Sequence, residues 1–209
     1  MVAVLTAVYI AANAVPIDAF IGGAGFITAG ILILPVIARL TKPWESLIIA
    51  VAAPLGLFAF QLSVIPIFGF YGMLIPASAM VLGSLGFRKS YLIPMGYITL
   101  GALWYVWFSG GSPVWLAPYA LAAVLTVVNR VRPFASGTRA EAVFFCLLTT
   151  MCELVTMNIG SISLLKLPGS LWIAIAPFMF LERTAAVIGA SSVLGALMRV
   201  RSVLRVGQI

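Results

Sequence analysis

The sequence has no histidine among its 209 residues, and only 8% of its residues are charged. Without histidine, the chain lacks the commonest general base and the commonest metal ligand, which argues against HExxH-type intramembrane enzymes. The phosphate-binding pattern GxxxxGK[ST] is also missing, and residues 170–198 contain no lysine that could carry retinal. We therefore predict that the chain is not an enzyme and that it holds no cofactor and no metal ion.

Cysteine is also rare. Cys146 and Cys152 are six positions apart within one apolar segment. This spacing fits neither a CxxC redox motif nor a zinc site, and we interpret both thiols as packing residues.

Apolar residues dominate the chain instead: 63% are hydrophobic, and the mean hydropathy is +1.19. A soluble core cannot bury this much apolar surface, so the composition predicts an integral membrane protein. We find no linker, no low-complexity tract and no fixed-period repeat. Residues 1–209 are thus predicted to form a single polytopic membrane domain of the all-α class.

The number of crossings follows from the apolar stretches, because a helix needs about 20 residues to span the hydrocarbon core. Charged or Pro/Gly-rich breaks separate eight such stretches. They cover residues 2–19, 20–38, 46–65, 67–86, 91–108, 114–129, 140–162 and 170–198. Three prolines within 46–86 allow a broken or re-entrant piece there, so the prediction is a bundle of six to eight transmembrane helices.

The basic residues in the breaks predict the orientation. If the N-terminus is cytoplasmic, ten basic residues face the cytoplasm and only Lys166 faces outward. The ten are Arg39, Lys42, Arg88, Lys89, Arg130, Arg132, Arg139, Arg199, Arg201 and Arg205. This asymmetry favours cytoplasmic N- and C-termini. It also makes membrane lipids, and not nucleic acid, the expected partners of these charges.

Ionisable residues inside the apolar stretches are candidates for function because they are costly at bilayer depth. Glu153 lies in the seventh stretch, and Glu182 and Arg183 lie in the eighth. We predict an intramembrane ion pair between Glu153 and Arg183. A structural role and a role in ligand binding both remain open for this pair.

A second group of polar and aromatic residues is expected near the outer face, where together they could form a small-molecule site. The predicted substrate-binding residues are Asp18, Tyr71, Trp104, Asn158 and Trp172 of this group, together with Glu153 from the middle of the membrane. Trp104 is deeper than Trp107, which suits stacking on a planar ligand. Interfacial anchoring in the lipid headgroup region is the alternative for Trp107, Trp115 and Trp172.

The first stretch has a row of small residues, Ala3, Ala7 and Ala11, at a spacing of four. Small residues at this spacing allow two membrane helices to approach closely. The row predicts a packing surface, either inside the chain or against another membrane subunit.

Three segments together resemble the substrate-binding S component of energy-coupling factor (ECF) transporters. They are the opening "AVLTAVYIAANAVP" with its AxxxA row, the Gly-rich "DAFIGGAGFITAGILILP" and the final "FLERTAAVIGASSVLGALMR". The resemblance implies a multi-pass protein of a prokaryotic plasma membrane that captures a vitamin or similar micronutrient from outside. It also implies partners, namely a transmembrane coupling subunit and two cytoplasmic ATPases. Ala7 and Ala11, extended by Ala3, would contact the coupling subunit. Family members usually have six helices.

Two other functions remain open. Glu153, Glu182 and Arg183 could relay protons or ions in a stand-alone channel or ion-coupled secondary transporter. The chain could also be a membrane scaffold that does not transport, or an unfamiliar intramembrane enzyme.

Overall fold

A computed structural model describes residues 1–15, 28–59 and 68–206, and its regular structure in these ranges is helical. The α-helices are α1 (Val2–Asn13), α2 (Gly30–Leu40), α3 (Pro43–Ala59), α4 (Leu74–Arg88), α5 (Leu92–Phe108), α6 (Ala117–Val131), α7 (Arg139–Ser163) and α8 (Gly169–Val206). Short 3-10 helices, Gly69–Met73 and Pro113–Leu116, lead into α4 and α6.

Four helical segments are long and apolar enough to cross a membrane: Gly69–Arg88, Pro113–Val131, Arg139–Ser163 and Gly169–Arg199. Four shorter apolar helices, α1, α2, α3 and α5, accompany them. The chain is therefore an all-α membrane protein, as its composition predicts. Within the described residues, one α-helix falls on each of the eight apolar stretches, but the six to eight crossings and the cytoplasmic position of both termini stay predictions.

Helix α7 is the centre of the bundle and packs against α2, α4, α5, α6 and α8. Its N-terminus is capped by Thr138, whose hydroxyl accepts a hydrogen bond from the Glu141 amide at 3.3 Å. Two glycines let neighbouring helices approach it closely. A Cβ on Gly83 of α4 would lie 2.7 Å from the Thr149 hydroxyl, and one on Gly101 of α5 would collide with Val155. Such small residues are typical of helix contacts inside membranes.

A second hydrophobic cluster lies among α1, α2, α3 and α4, with Tyr9, Leu34, Ile37, Ile49 and Met80 at its centre. Tyr9 is the buried residue of α1, and the opposite side of that helix is exposed. Helix α1 packs against α2 and α3 and lies at the edge of the described bundle.

Most basic residues gather at one end of the bundle, which we call the basic end. There the Arg88 Nε donates to the Thr41 carbonyl at 3.0 Å, and Arg39 forms an ion pair with Glu141. Lys89 and Arg130 line a common cavity at this end. Lys166 lies in the α7–α8 connection at the other end, which we call the far end. The Trp172 side chain and Tyr105 hydroxyl also meet at the far end, beside Gly111.

Candidate functional site

Three charged side chains meet between α7 and α8. Arg183 Nη1 lies 2.6 Å from Glu153 Oε2, which is the cross-helix ion pair expected from the sequence. Arg183 Nη2 also lies 3.4 Å from Glu182 Oε1, although the sequence indicates no partner for Glu182. The Arg183 Nε points at the Met179 sulfur, and the residue is only 4% exposed. Two carboxylates facing one guanidinium leave this group, which we call the charged triad, with one more acidic than basic side chain.

Asn158 lies one to two turns beyond Glu153 on α7 and connects this helix to α6. Its Nδ2 donates to the Tyr119 hydroxyl at 2.6 Å, and both residues are buried. The other half of the amide, Oδ1, is buried and has no hydrogen-bond partner among the described residues. A buried acceptor without a partner is costly, and such atoms in native proteins usually meet water or a ligand.

Aromatic rings fill the space between the starts of α6 and α8 at the far end. The Trp115 and Trp172 rings are 4.9 Å apart at a steep angle, and Tyr105 stacks on Trp115 and meets the edge of Trp172. Phe180 lies 6.4 Å from Trp115 and completes what we call the aromatic cluster. Within the described part of the chain, neither buried indole N–H of Trp115 and Trp172 finds an acceptor.

The two tryptophans are thus interior residues and not interfacial anchors, because each is only 1% exposed. Trp115 lies in the 3-10 helix that leads into α6, and Tyr119 of α6 follows it by four positions. The aromatic cluster and Asn158 are thereby joined through α6. Their unpartnered groups are two donors and one acceptor, the kinds of polar group that fix the orientation of a small molecule in a binding site.

Tyr71 takes part in a different network. Its hydroxyl donates to the Thr156 carbonyl at 2.7 Å, and the Thr156 hydroxyl lies 2.8 Å from that of Tyr97. Thr156 Oγ1 also bonds to Ser78 Oγ at 2.6 Å. These bonds join α5, α4 and the 3-10 helix before α4 to α7, so Tyr71 has a structural role in this network.

Trp104 lies outside the aromatic cluster. It is 38% exposed, and its ring packs on Phe108 at 4.6 Å. Leu100, Leu103 and Trp107 of the same helix are also exposed. This apolar outer face of α5 favours a lipid-facing role for Trp104 over stacking on a ligand. Asp18 lies outside the described residues.

The alanine row lies on the outer side of α1. Ala3, Ala7 and Ala11 are all exposed, and Val4 and Val8 widen the same face. Of the two interpretations of the row, packing inside the described part of the chain is therefore disfavoured. The face is available to lipid or to another membrane subunit.

One partly buried ion pair was not predicted from the sequence. At the basic end, Arg39 Nη1 and Nη2 lie 2.7 and 3.2 Å from the two Glu141 oxygens, and the guanidinium lies 3.4 Å from the Phe87 ring centre. Glu141 Oε2 also accepts from the Gly137 amide. Thr138 and Glu141 form the capping-box pattern TxxE, which marks a helix start and could have indicated that Glu141 is ordered.

No family model, curated protein or solved structure matches this chain. Among the described residues, no group of three or more acidic, cysteine or histidine side chains could hold a metal ion. The features of the described residues that bear on function are the charged triad, the unpartnered polar atoms and the exposed row on α1.

Proposed function

We propose that this protein is the solute-capture subunit of an ECF-type importer in the plasma membrane of a prokaryote. In this proposal the basic end faces the cytoplasm, in agreement with the positive-inside rule. The far end faces outward and binds a vitamin or a similar small organic micronutrient. A transmembrane coupling subunit and two cytoplasmic ATPases drive transport, and the chain does not act as an enzyme.

Buried polar atoms without partners near the far end give this proposal its main support. Asn158 Oδ1 and the indole N–H groups of Trp115 and Trp172 are enclosed by helices, yet they make no hydrogen bond to any described residue. In an apolar interior, each such group costs on the order of 1–3 kcal/mol. A bound molecule with matching donors and acceptors would remove that cost and would explain why the polar groups are there.

The coupling part of the proposal is supported by the outer face of α1. Its exposed Ala3, Ala7 and Ala11 would let a partner helix approach closely, and their small side chains lose little entropy on packing.

Uptake by the purified protein in liposomes tests this proposal. A capture subunit without its coupling partners should bind its solute but show no sustained uptake when a proton or sodium gradient is imposed. Sustained gradient-driven accumulation by this chain alone would contradict the proposal.

A second candidate is a stand-alone ion-coupled transporter, which the charged triad favours. A carboxylate that shares a buried arginine with a second carboxylate can exchange a proton or cation during transport. In that case Glu153→Gln should abolish flux in liposomes, whereas in a capture subunit it should change only binding or folding.

A further inference from the structure

A cavity at the basic end lies between the start of α5 and the end of α6. Its volume is about 290 Å³, and two cations, Lys89 and Arg130, line it together with polar groups. The polar lining residues are Ser90, Tyr91, Thr126 and Asn129. The volume is near the lower limit of small-molecule pockets, about 300 Å³, and suits a compact polar group.

Among the described residues, no acidic side chain forms an ion pair with either cation. Over residues 1–15, 28–59 and 68–206, the ion pairs involve Arg39 and Arg183, and no carboxylate oxygen lies within 4.0 Å of Lys89 or Arg130. Both residues are exposed. The cavity lining therefore carries two positive charges and no acidic residue.

Exposed apolar side chains lie beside the cavity lining on α5 and α6. Leu92 lines the cavity itself, and Val127 and Val131 each follow a lining residue in the chain, Thr126 and Arg130. Leu92 of α5 is 59% exposed, and Val127 and Val131 of α6 are 62% and 81% exposed. Exposed apolar residues on membrane helices face acyl chains, whereas cations near the ends of such helices face lipid headgroups. The cavity thus has a polar, cationic interior beside a surface suited to hydrocarbon.

We propose that this cavity binds the phosphate of an anionic phospholipid, with Lys89 and Arg130 on the phosphate and the acyl chains along Leu92 and Val127. Asn129 keeps its amide donors for the headgroup because its Oδ1 already accepts from the Phe134 amide at 2.9 Å. The proposal requires only that the protein lies in a membrane, and it is independent of solute capture.

Native mass spectrometry of the delipidated full-length protein, titrated with phosphatidylglycerol, tests the site. We expect saturable binding of one lipid, and we expect K89Q/R130Q to bind roughly 30-fold more weakly, with each single variant roughly fivefold weaker. K89R/R130K should retain binding. The matched control is K42Q/R139Q, which removes two exposed cations from the same end but outside the cavity, and it should bind like the wild type.

Three results would overturn the proposal. An equal loss in K42Q/R139Q would show diffuse electrostatic attraction. Equal affinity for phosphatidylcholine would show that the anionic headgroup is not recognised. Displacement of phosphatidylglycerol by millimolar inorganic phosphate would assign the cavity to free phosphate. Thermal unfolding of each variant verifies its fold, which we expect to be unchanged because both side chains are exposed.

Discussion

Arg183 carries a buried charge between α7 and α8. It is almost completely buried and is held by Glu153 at 2.6 Å and by Glu182 at 3.4 Å. Glu153 belongs to α7, whereas Glu182 belongs to the same helix as Arg183. Only the contact with Glu153 can therefore hold two helices together.

This difference predicts unequal effects of two isosteric substitutions. Glu153→Gln should lower the free energy of unfolding by roughly 3–5 kcal/mol, because it breaks a buried pair and leaves Arg183 with its longer contact. Glu182→Gln, its matched control, should have a clearly smaller effect. Unfolding by sodium dodecyl sulfate from a mild detergent, followed by circular dichroism, measures both. A larger loss for Glu182→Gln would contradict the assigned geometry.

For single residues, the sequence predicts which charges pair better than it predicts which side chains are buried. Glu153 and Arg183 could be paired because few groups at bilayer depth can neutralise them. Trp104 and Trp172 could not be distinguished, since both precede or follow a break and both fit an interfacial position. Which of them is buried depends on how α5 and α8 are rotated, and this follows from packing against α7 and not from the local sequence.

Helices α4 and α5 pack closely against α7 because each of them places a glycine at the contact. Gly101 of α5 faces Val155, where any Cβ would collide. Gly96 of the same helix has open space at the corresponding atom. Gly101 and Gly96 therefore allow a matched test of close packing between α5 and α7.

We expect Gly101→Ala to destabilise the protein by roughly 1–3 kcal/mol, as overpacking does in other interiors. Gly96→Ala should be neutral or stabilising, because alanine favours a helix over glycine by up to about 1 kcal/mol. The same detergent unfolding assay compares them. Equal stability of the two variants would show that α5 does not press on α7 at Gly101.

Helix α1 supports a prediction about association. Under the proposed function, Ala11→Leu should leave thermal stability and solute binding unchanged but prevent co-purification with a coupling subunit, because the added side chain separates the helices. Ala120→Leu, which makes the same change on an exposed position of α6, should keep the complex. Loss of stability in Ala11→Leu, or retention of the complex, would contradict this use of the row.

The basic end and the far end lie at opposite ends of the bundle. We therefore predict that residues at the two ends are exposed on opposite sides of the membrane. Helix α7 has 25 residues, or about 37 Å, so the exposed Ser136 and Ser170 on its two sides should lie across the membrane from each other. In intact cells a membrane-impermeant maleimide should label Ser170→Cys and reach Ser136→Cys only after permeabilisation. The native Cys146 and Cys152 are buried and give little background. The opposite labelling would invert the proposed orientation.

The bundle could be predicted from the sequence in outline, because composition and breaks indicate a helical membrane protein with one helix in each apolar stretch. The arrangement of the helices could not. That α7 is central depends on its many small and polar residues, such as Thr149 and Ser161, which pack inside but look unremarkable in a hydropathy reading. The Arg39–Glu141 pair joins residues 102 positions apart, and no local pattern relates them.

Solute capture is tested most directly by native mass spectrometry of the protein extracted gently from its host membranes. We predict a co-purifying vitamin-sized mass on the protein, alone or within a larger complex that contains ATPases. A protein that carries only lipid, with no small organic solute and no ATPase partner, would contradict the proposed function and favour the ion-coupled transporter.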